Sequence, residues 1–242
     1  MMEFVIDFAL VRAVIQAEIH AALSVVQTPG QGALPAYQQS IVRHEQRLAQ
    51  AEDAASLACH AGCAWCCHFS VDVRAVEAIN MAEYVQREFS ADEQRQLWVT
   101  LQNNAQALRA MDELQRMRSN LPCPFLQQGQ CRIYAVRPQT CRNYHATDAA
   151  GCQQSYEQPD NDDIAPEFAP VTYQVGAAHV EAFAKVLQEA GYDALAYEIN
   201  AAMLEALTNL AAARQRLENK LPVFPNLEAT EVPMEFVNDD AQ

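Results

Sequence analysis

The chain has 242 residues, half of them apolar and 19% charged, a globular composition that can bury a core as one domain or one and a half. Its 31 acids against 16 bases leave a formal charge of −15, a field that repels a phosphate backbone and argues against nucleic-acid binding. With Lys185 and Lys220 as its lysines and seven glycines in all, neither a polybasic membrane anchor nor a glycine-rich, many-turned β architecture is expected.

The N-terminus, Met1-Met2-Glu3 followed by Asp7 and Glu18, has no basic run ahead of an apolar one, which predicts no secretory signal. No stretch of about 18 uncharged apolar residues occurs, so the expectation is a cytoplasmic protein without a membrane partner. Phe4, Phe8, Val11, Ile15 and Ile19 recur at three-to-four spacing and predict one face of a first helix, ended by Pro29-Gly30. A second helix is predicted over 36–55. After a cysteine-rich stretch, Val71-Asp72-Val73 reads as extended, and Val76, Ile79, Met81, Tyr84 and Val85 predict a helix over 76–88. Ser90 and Glu93 stand in capping-box spacing, opening a helix expected to turn Leu97, Leu101, Leu108, Met111 and Leu114 inward.

Between 121 and 170 the texture changes to six prolines, two glycines and four cysteines, a loop-rich segment with short helical turns that needs a cross-link. Two further helices are predicted at 173–190 and 194–218, before a proline-punctuated acidic tail. The fold class is mainly α, a helical domain with a loop-rich, cysteine- and metal-stapled lobe. Its parts are N-terminal helices (1–56), a cysteine-cluster region (57–156), C-terminal helices packing on the same domain (157–220) and the tail (221–242).

All eight cysteines (Cys59, Cys63, Cys66, Cys67, Cys123, Cys131, Cys141 and Cys152) lie between positions 59 and 152. In a reducing cytosol such clustering points to metal ligation more than to disulfides. Were Cys59 to Cys67 helical, the other three sulfurs would sit at about +40°, −20° and +80° from the first; in a tight turn Cys63 and Cys66 would still converge as a knuckle. Several thiolates so close repel one another, and Zn²⁺ or iron is the natural neutraliser. Cys66 and Cys67 are adjacent, with diverging side chains, and fit two different ions or a polynuclear cluster better than one tetrahedral ion.

The second constellation runs Cys123-Pro124-Phe125-Leu126, Gly129-Gln130-Cys131-Arg132-Ile133-Tyr134, Arg137-Pro138 and Cys141-Arg142-Asn143-Tyr144, with Cys152 later. Its gaps of 7, 9 and 10 residues belong to loops that converge only in the fold. Arg132, Arg137 and Arg142 fall among these cysteines. Either their guanidinium groups offset the charge of about −2 on a four-thiolate zinc site, or they pair with local acids. His60, His68 and His145 lie close enough to be ligands, although beside eight thiols a supporting or surface role is the simpler reading. The acidic stretch 157–167 lacks the ligand order of a calcium loop and reads as solvated.

CxxxCxxCC, then CPFL, GxCxIYxxRPxxCRxY and a later cysteine together resemble the YkgJ-like family of cysteine-cluster proteins, of CxxCxxCC type. Three residues separate Cys59 from Cys63 where the family's short name has two. Members are described as zinc- or iron-chelating domains, and flagellin lysine N-methylases carry a similar cysteine cluster. The resemblance covers the middle of the chain, from Cys59 to Cys152, and implies that these cysteines hold zinc or iron. Cys59-x3-Cys63-x2-Cys66 also matches the cluster motif of radical SAM enzymes, but those need a partial β/α barrel that this sequence does not predict.

The expected function is therefore metal binding through the eight cysteines, as two four-thiolate zinc sites or with a 4Fe–4S cluster using four of them. Two alternatives stand beside it. One is an iron–sulfur-dependent enzyme modifying protein side chains, suggested by the methylase resemblance. The other is a metal-stapled module whose helices bind a protein partner.

Overall fold

The computed structural model describes residues 5–230 and Phe236. The chain is mainly α-helical. α1 (Phe8–Val26) starts at Asp7, whose carboxylate accepts the Ala9 and Leu10 N–H groups. α2 (Ala33–Gln50) follows the Pro29-Gly30 break. It ends five residues short of the predicted boundary, and a single 3-10 turn, Ala54–Ser56, comes next. The reason lies in Asp53, whose carboxylate accepts Val171 N, Thr172 N and the Thr172 hydroxyl at 2.7, 2.9 and 2.6 Å. It thereby caps α8 (Pro170–Glu189) from a distance.

β1 (Asp72–Arg74) feeds directly into α3 (Ala75–Glu88), as the extended Val71–Val73 stretch and the following periodicity predict. α4 (Ala91–Leu108) carries the expected capping box, with Ser90 N donating to Glu93 Oε2 at 2.8 Å and Glu93 N to Ser90 Oγ at 3.4 Å. Leu97 and Leu101 point inward as expected, but the inward stripe stops there. Asp112 and Gln115 form a second capping box that opens a separate helix, α5 (Glu113–Arg118), and Leu114 is left exposed.

The lobe that follows consists of a β2–β3 hairpin (Leu126–Gln127 with Gln130–Cys131), a 3-10 turn (Tyr134–Val136), α6 (Gln139–Asn143) and α7 (Ala149–Glu157). The single helix predicted over 194–218 is three elements: β4 (Ala196–Glu198), α9 (Ile199–Thr208) and α10 (Leu210–Glu218). β4 pairs antiparallel with β1, with Val73 opposite Tyr197. Glu198 then caps α9 through Asn200 N and Ala201 N, and Asn209 caps α10 through Ala212 N. Of the tail, Val223 and Phe224 are buried; positions 231–235 and 237–242 lie outside the described residues.

α3 is the centre of the core. Val76, Ala78, Ile79, Met81, Ala82 and Val85 are fully buried among Tyr37, Phe183, Leu187, Tyr197 and Met203 from α2, α8, β4 and α9. The lobe adds Phe125 and Ile133 to the same cluster.

α1 lies along α8 and α2. By length and composition it could cross a membrane, with a mean hydropathy of 1.5, but it carries Arg12 and Glu18. The face it buries is Val11, Val14, Glu18 and Ala22; of the predicted stripe Val11 is buried and Ile15 and Ile19 are half-buried against the core. Phe8 is exposed, and Phe4 lies outside the described residues. Glu18 sets this rotation: fully buried, it accepts from Arg43 and Arg47, both at 2.6 Å, and from Ser40 Oγ at 2.7 Å. Arg47 also donates to His179 Nδ1, which assigns the ring proton to Nε2, 3.0 Å from Ser40 Oγ. His44 stacks on His179 with centroids 4.5 Å apart, and neither of its buried nitrogens has a partner.

Burial holds both imidazoles well below the usual range, reinforced for His44 by His179 and for His179 by Arg47 and Arg43. Both are neutral when folded and take up a proton when unfolded below about pH 6.5. Stability is thus complete above that pH and falls on acidification by up to about 1.4 kcal/mol per pH unit per histidine. Urea denaturation at pH 7.5 and 5.5, at equal metal content, should show this loss. The His44→Phe variant should lose less than the wild type between the two.

Candidate metal centre

The first cysteine segment is a pair of tight turns rather than a helix. Cys63 N donates to His60 O at 3.0 Å, with Gly62 at φ +91°, a left-handed conformation that suits glycine. Cys67 N donates to Ala64 O at 3.0 Å, opening the 3-10 turn Trp65–His68. The segment is pinned to residue 146: Ala58 N donates to Ala146 O at 2.9 Å and Ala146 N to Cys59 Sγ at 3.4 Å. α7, which carries Cys152, follows three residues later and packs on the 3-10 turn through Tyr156, with ring centroids 5.4 Å from Trp65 and 4.7 Å from His68.

The second segment meets the first at Cys67. Cys123 N donates to Cys67 O at 2.7 Å. The β2–β3 hairpin then folds back with Leu126 opposite Cys131, closed by Arg132 N to Phe125 O at 2.9 Å. α6 brings in Cys141. Its first N–H, from Gln139, is held at 2.9 Å by Glu77, a 2% exposed carboxylate on α3 that also accepts Arg74 N at 2.8 Å and the Tyr37 hydroxyl at 3.3 Å. Gly176 on α8 makes room for α6, since a Cβ there would collide with the Asn143 amide.

All eight cysteines are free thiols. Burial pushes the Cys123 thiol up to about 12, with Cys67 and Cys131 adding to it, and pushes Cys152 up to about 11, with Cys59 and Cys63 adding. Cys131 and Cys141 are raised chiefly by burial as well, Cys141 also by Cys123, Cys131 and Cys67. The Cys66 thiol donates to Cys67, which raises Cys66 and lowers Cys67, Arg137 also lowering the latter. Among the described residues, no three Cys, His, Asp or Glu side chains already stand together as a formed metal site. The donor chemistry nevertheless fits a thiophilic cation: five of the thiols, Cys66, Cys123, Cys131, Cys141 and Cys152, are favoured in the protonated form by burial and by neighbouring thiols.

The three arginines are placed by acids and carbonyls. Arg132 reaches Glu93 at 2.7 Å as well as Gln127. Arg137 bonds Glu45 at 3.0 Å and lies 4.0 Å from the Tyr134 ring centroid. Arg142, buried, bonds Glu45, Ala135 O at 2.8 Å and Arg137 O at 3.0 Å. Arg137 and Arg142 bear on the sulfurs through their field, each favouring the Cys131 thiolate. His60 is exposed, His68 Nδ1 sits 3.2 Å from Ala64 O, and His145 Nδ1 is buried without a partner. Burial and then Arg137 hold the His145 imidazole low.

Sequence reasoning missed Glu77 and Glu45, which hold α6 and the arginines. Glu77 had one readable signal, its place three residues after Arg74 at the start of α3. Glu45 on α2 had none.

A helical body carrying a cysteine-lined lobe with this donor chemistry defines a metal-binding protein of cysteine-cluster type. Residues 58–165, a little under half of the chain, match the family model CxxCxxCC, described as "Putative zinc- or iron-chelating domain". No curated protein and no solved structure matches the chain.

Removing the Glu77 carboxylate strands three donors in a dry site. Glu77→Ala should therefore cost about 3 kcal/mol in chemical denaturation, and Glu77→Gln, which keeps an acceptor, distinctly less.

Proposed function

We propose that the protein binds zinc or iron through Cys59, Cys63, Cys66, Cys67, Cys123, Cys131, Cys141 and Cys152, and that the metal fastens the loop-rich lobe to the helical body. The observation that carries this reading is the set of eight unpaired thiols on two segments joined by the Cys123 N to Cys67 O hydrogen bond, where the chain is poorest in apolar packing. Between 119 and 169 the buried hydrophobic residues are Phe125, Ile133, Ala146, Cys152 and Ala169, too few to hold such a length of irregular chain. Bound zinc or iron supplies the positive charge that lets buried thiols ionise together. The residues around it supply placement: Glu77 through α6, Ala146 through Cys59, and Tyr156 through α7. Arg137 and Arg142, anchored on Glu45, offset part of the negative charge of the thiolates. The reading assigns the protein to a reducing compartment such as the cytoplasm, where the thiols persist.

Purification without oxygen, followed by metal and sulfide analysis and a visible spectrum, tests the proposal. Colourless protein with zinc selects mononuclear sites. Iron with sulfide and a broad visible band selects a cluster. Fully folded, metal-free protein defeats both. Because burial raises most of these thiols, loading zinc into the reduced apo-protein at neutral pH should release close to one proton per coordinated thiol. Affinity should therefore fall steeply on acidification, which competition with a colorimetric chelator at pH 7.5 and 6.0 will measure.

A further inference from the structure

We propose that the outward face of α1 around Arg12 is a docking surface for the chain's own segment 237–242, Val237-Asn238-Asp239-Asp240-Ala241-Gln242. α1 turns Val11, Val14, Glu18 and Ala22 inward and leaves Phe8 68% exposed. Phe8, Ala9, Arg12, Ala13 and Gln16 line an open groove of about 350 Å³. Phe8 and Arg12, one turn apart, stand beside Ala9 and Ala13, also one turn apart, and the small alanines let an extended backbone come close. The one charge in the groove is Arg12, whose guanidinium makes no ion pair among the described residues. On a chain of net charge −15, an apolar face whose charge is positive calls for an acidic, partly apolar occupant.

The seat of Phe236 says which occupant. Phe236 packs on the cluster of Val11, Val14, Val175 and Ala178 at the seam of α1 and α8. Its N–H donates to Glu181 Oε2, on a buried α8 side chain, at 2.8 Å. Val11 is the neighbour of Arg12 in α1, so Phe236 lies within roughly one helix diameter, ~10–12 Å, of the groove. Six further residues span up to ~20 Å when extended. The reach is ample. In this arrangement Val237 covers Phe8, and Asp239 and Asp240 pair with Arg12. A second copy of the chain is the poorer occupant, because a two-fold contact through this face sets Arg12 near its own equivalent between two acidic molecules. An anionic bilayer meets the same net charge. None of the groove residues belongs to the cysteine lobe, so the proposal stands apart from the metal-binding reading.

Photo-crosslinking in the 242-residue chain tests the assignment. p-Benzoylphenylalanine replaces Ala13, the protein is irradiated, and linked peptides are mapped by mass spectrometry. Arg12 and Ala13 are both exposed, so neither change disturbs the core. The expected result is a link within one chain to residues 237–242. Its yield should fall about fivefold in the Asp239→Arg/Asp240→Arg variant and return when Arg12→Asp is added. A covalent dimer, a link to any other segment, or a yield that ignores both charge reversals overturns the proposal. So does the absence of any link above the unirradiated control.

Discussion

Burying several thiols within electrostatic reach of one another makes their ionised forms costly, and the middle of this chain is organised around that cost. Each sulfur is placed by backbone hydrogen bonds and by a few buried polar side chains rather than by a core of its own. The lobe leans on α3, where Glu77 holds the start of α6, and on residue 146, where the chain closes on Cys59. Without a compensating cation the thiols that burial raises, such as Cys123, Cys141 and Cys152, stay protonated, and the same geometry becomes a set of weak contacts. With one, repulsion between like groups turns into shared attraction to a single charge.

The arginines show how an acidic protein handles the charge such a lobe carries. Arg137 and Arg142 share Glu45 on α2, so they are fixed by the helical body rather than by the sulfurs. Their effect on Cys131, and that of Arg137 on Cys67, is a field effect. A guanidinium fixed in this way is already oriented before any cation arrives and loses little freedom when one does.

Much of the fold was legible in the sequence wherever local chemistry decides structure. α3 and α4 announce themselves through apolar spacing and the Ser90–Glu93 box, and the extended stretch before α3 is β1. Legibility failed where a distant partner overrides local preference. Asp53 leaves α2 early to cap α8, Glu18 rotates α1 to reach two arginines, and β4 breaks a helical-looking run because β1 offers it a ladder. At the lobe, the cysteines and their chemistry were plain from composition. What could not be read was which sulfur neighbours which, because that depends on gaps bridged by loops, on Ala146 and on a carboxylate from α3.

The seam between α1 and α8 bears on how the molecule comes into being. α1, which carries Glu18, and α8, which packs along it, are far apart in sequence, with the whole cysteine lobe translated between them. On the ribosome the apolar first helix is finished long before the surface that covers it exists. α2 follows at once and brings Ser40, Arg43 and Arg47 to Glu18, but the α8 side of α1 must travel uncovered until Pro170–Glu189 has emerged.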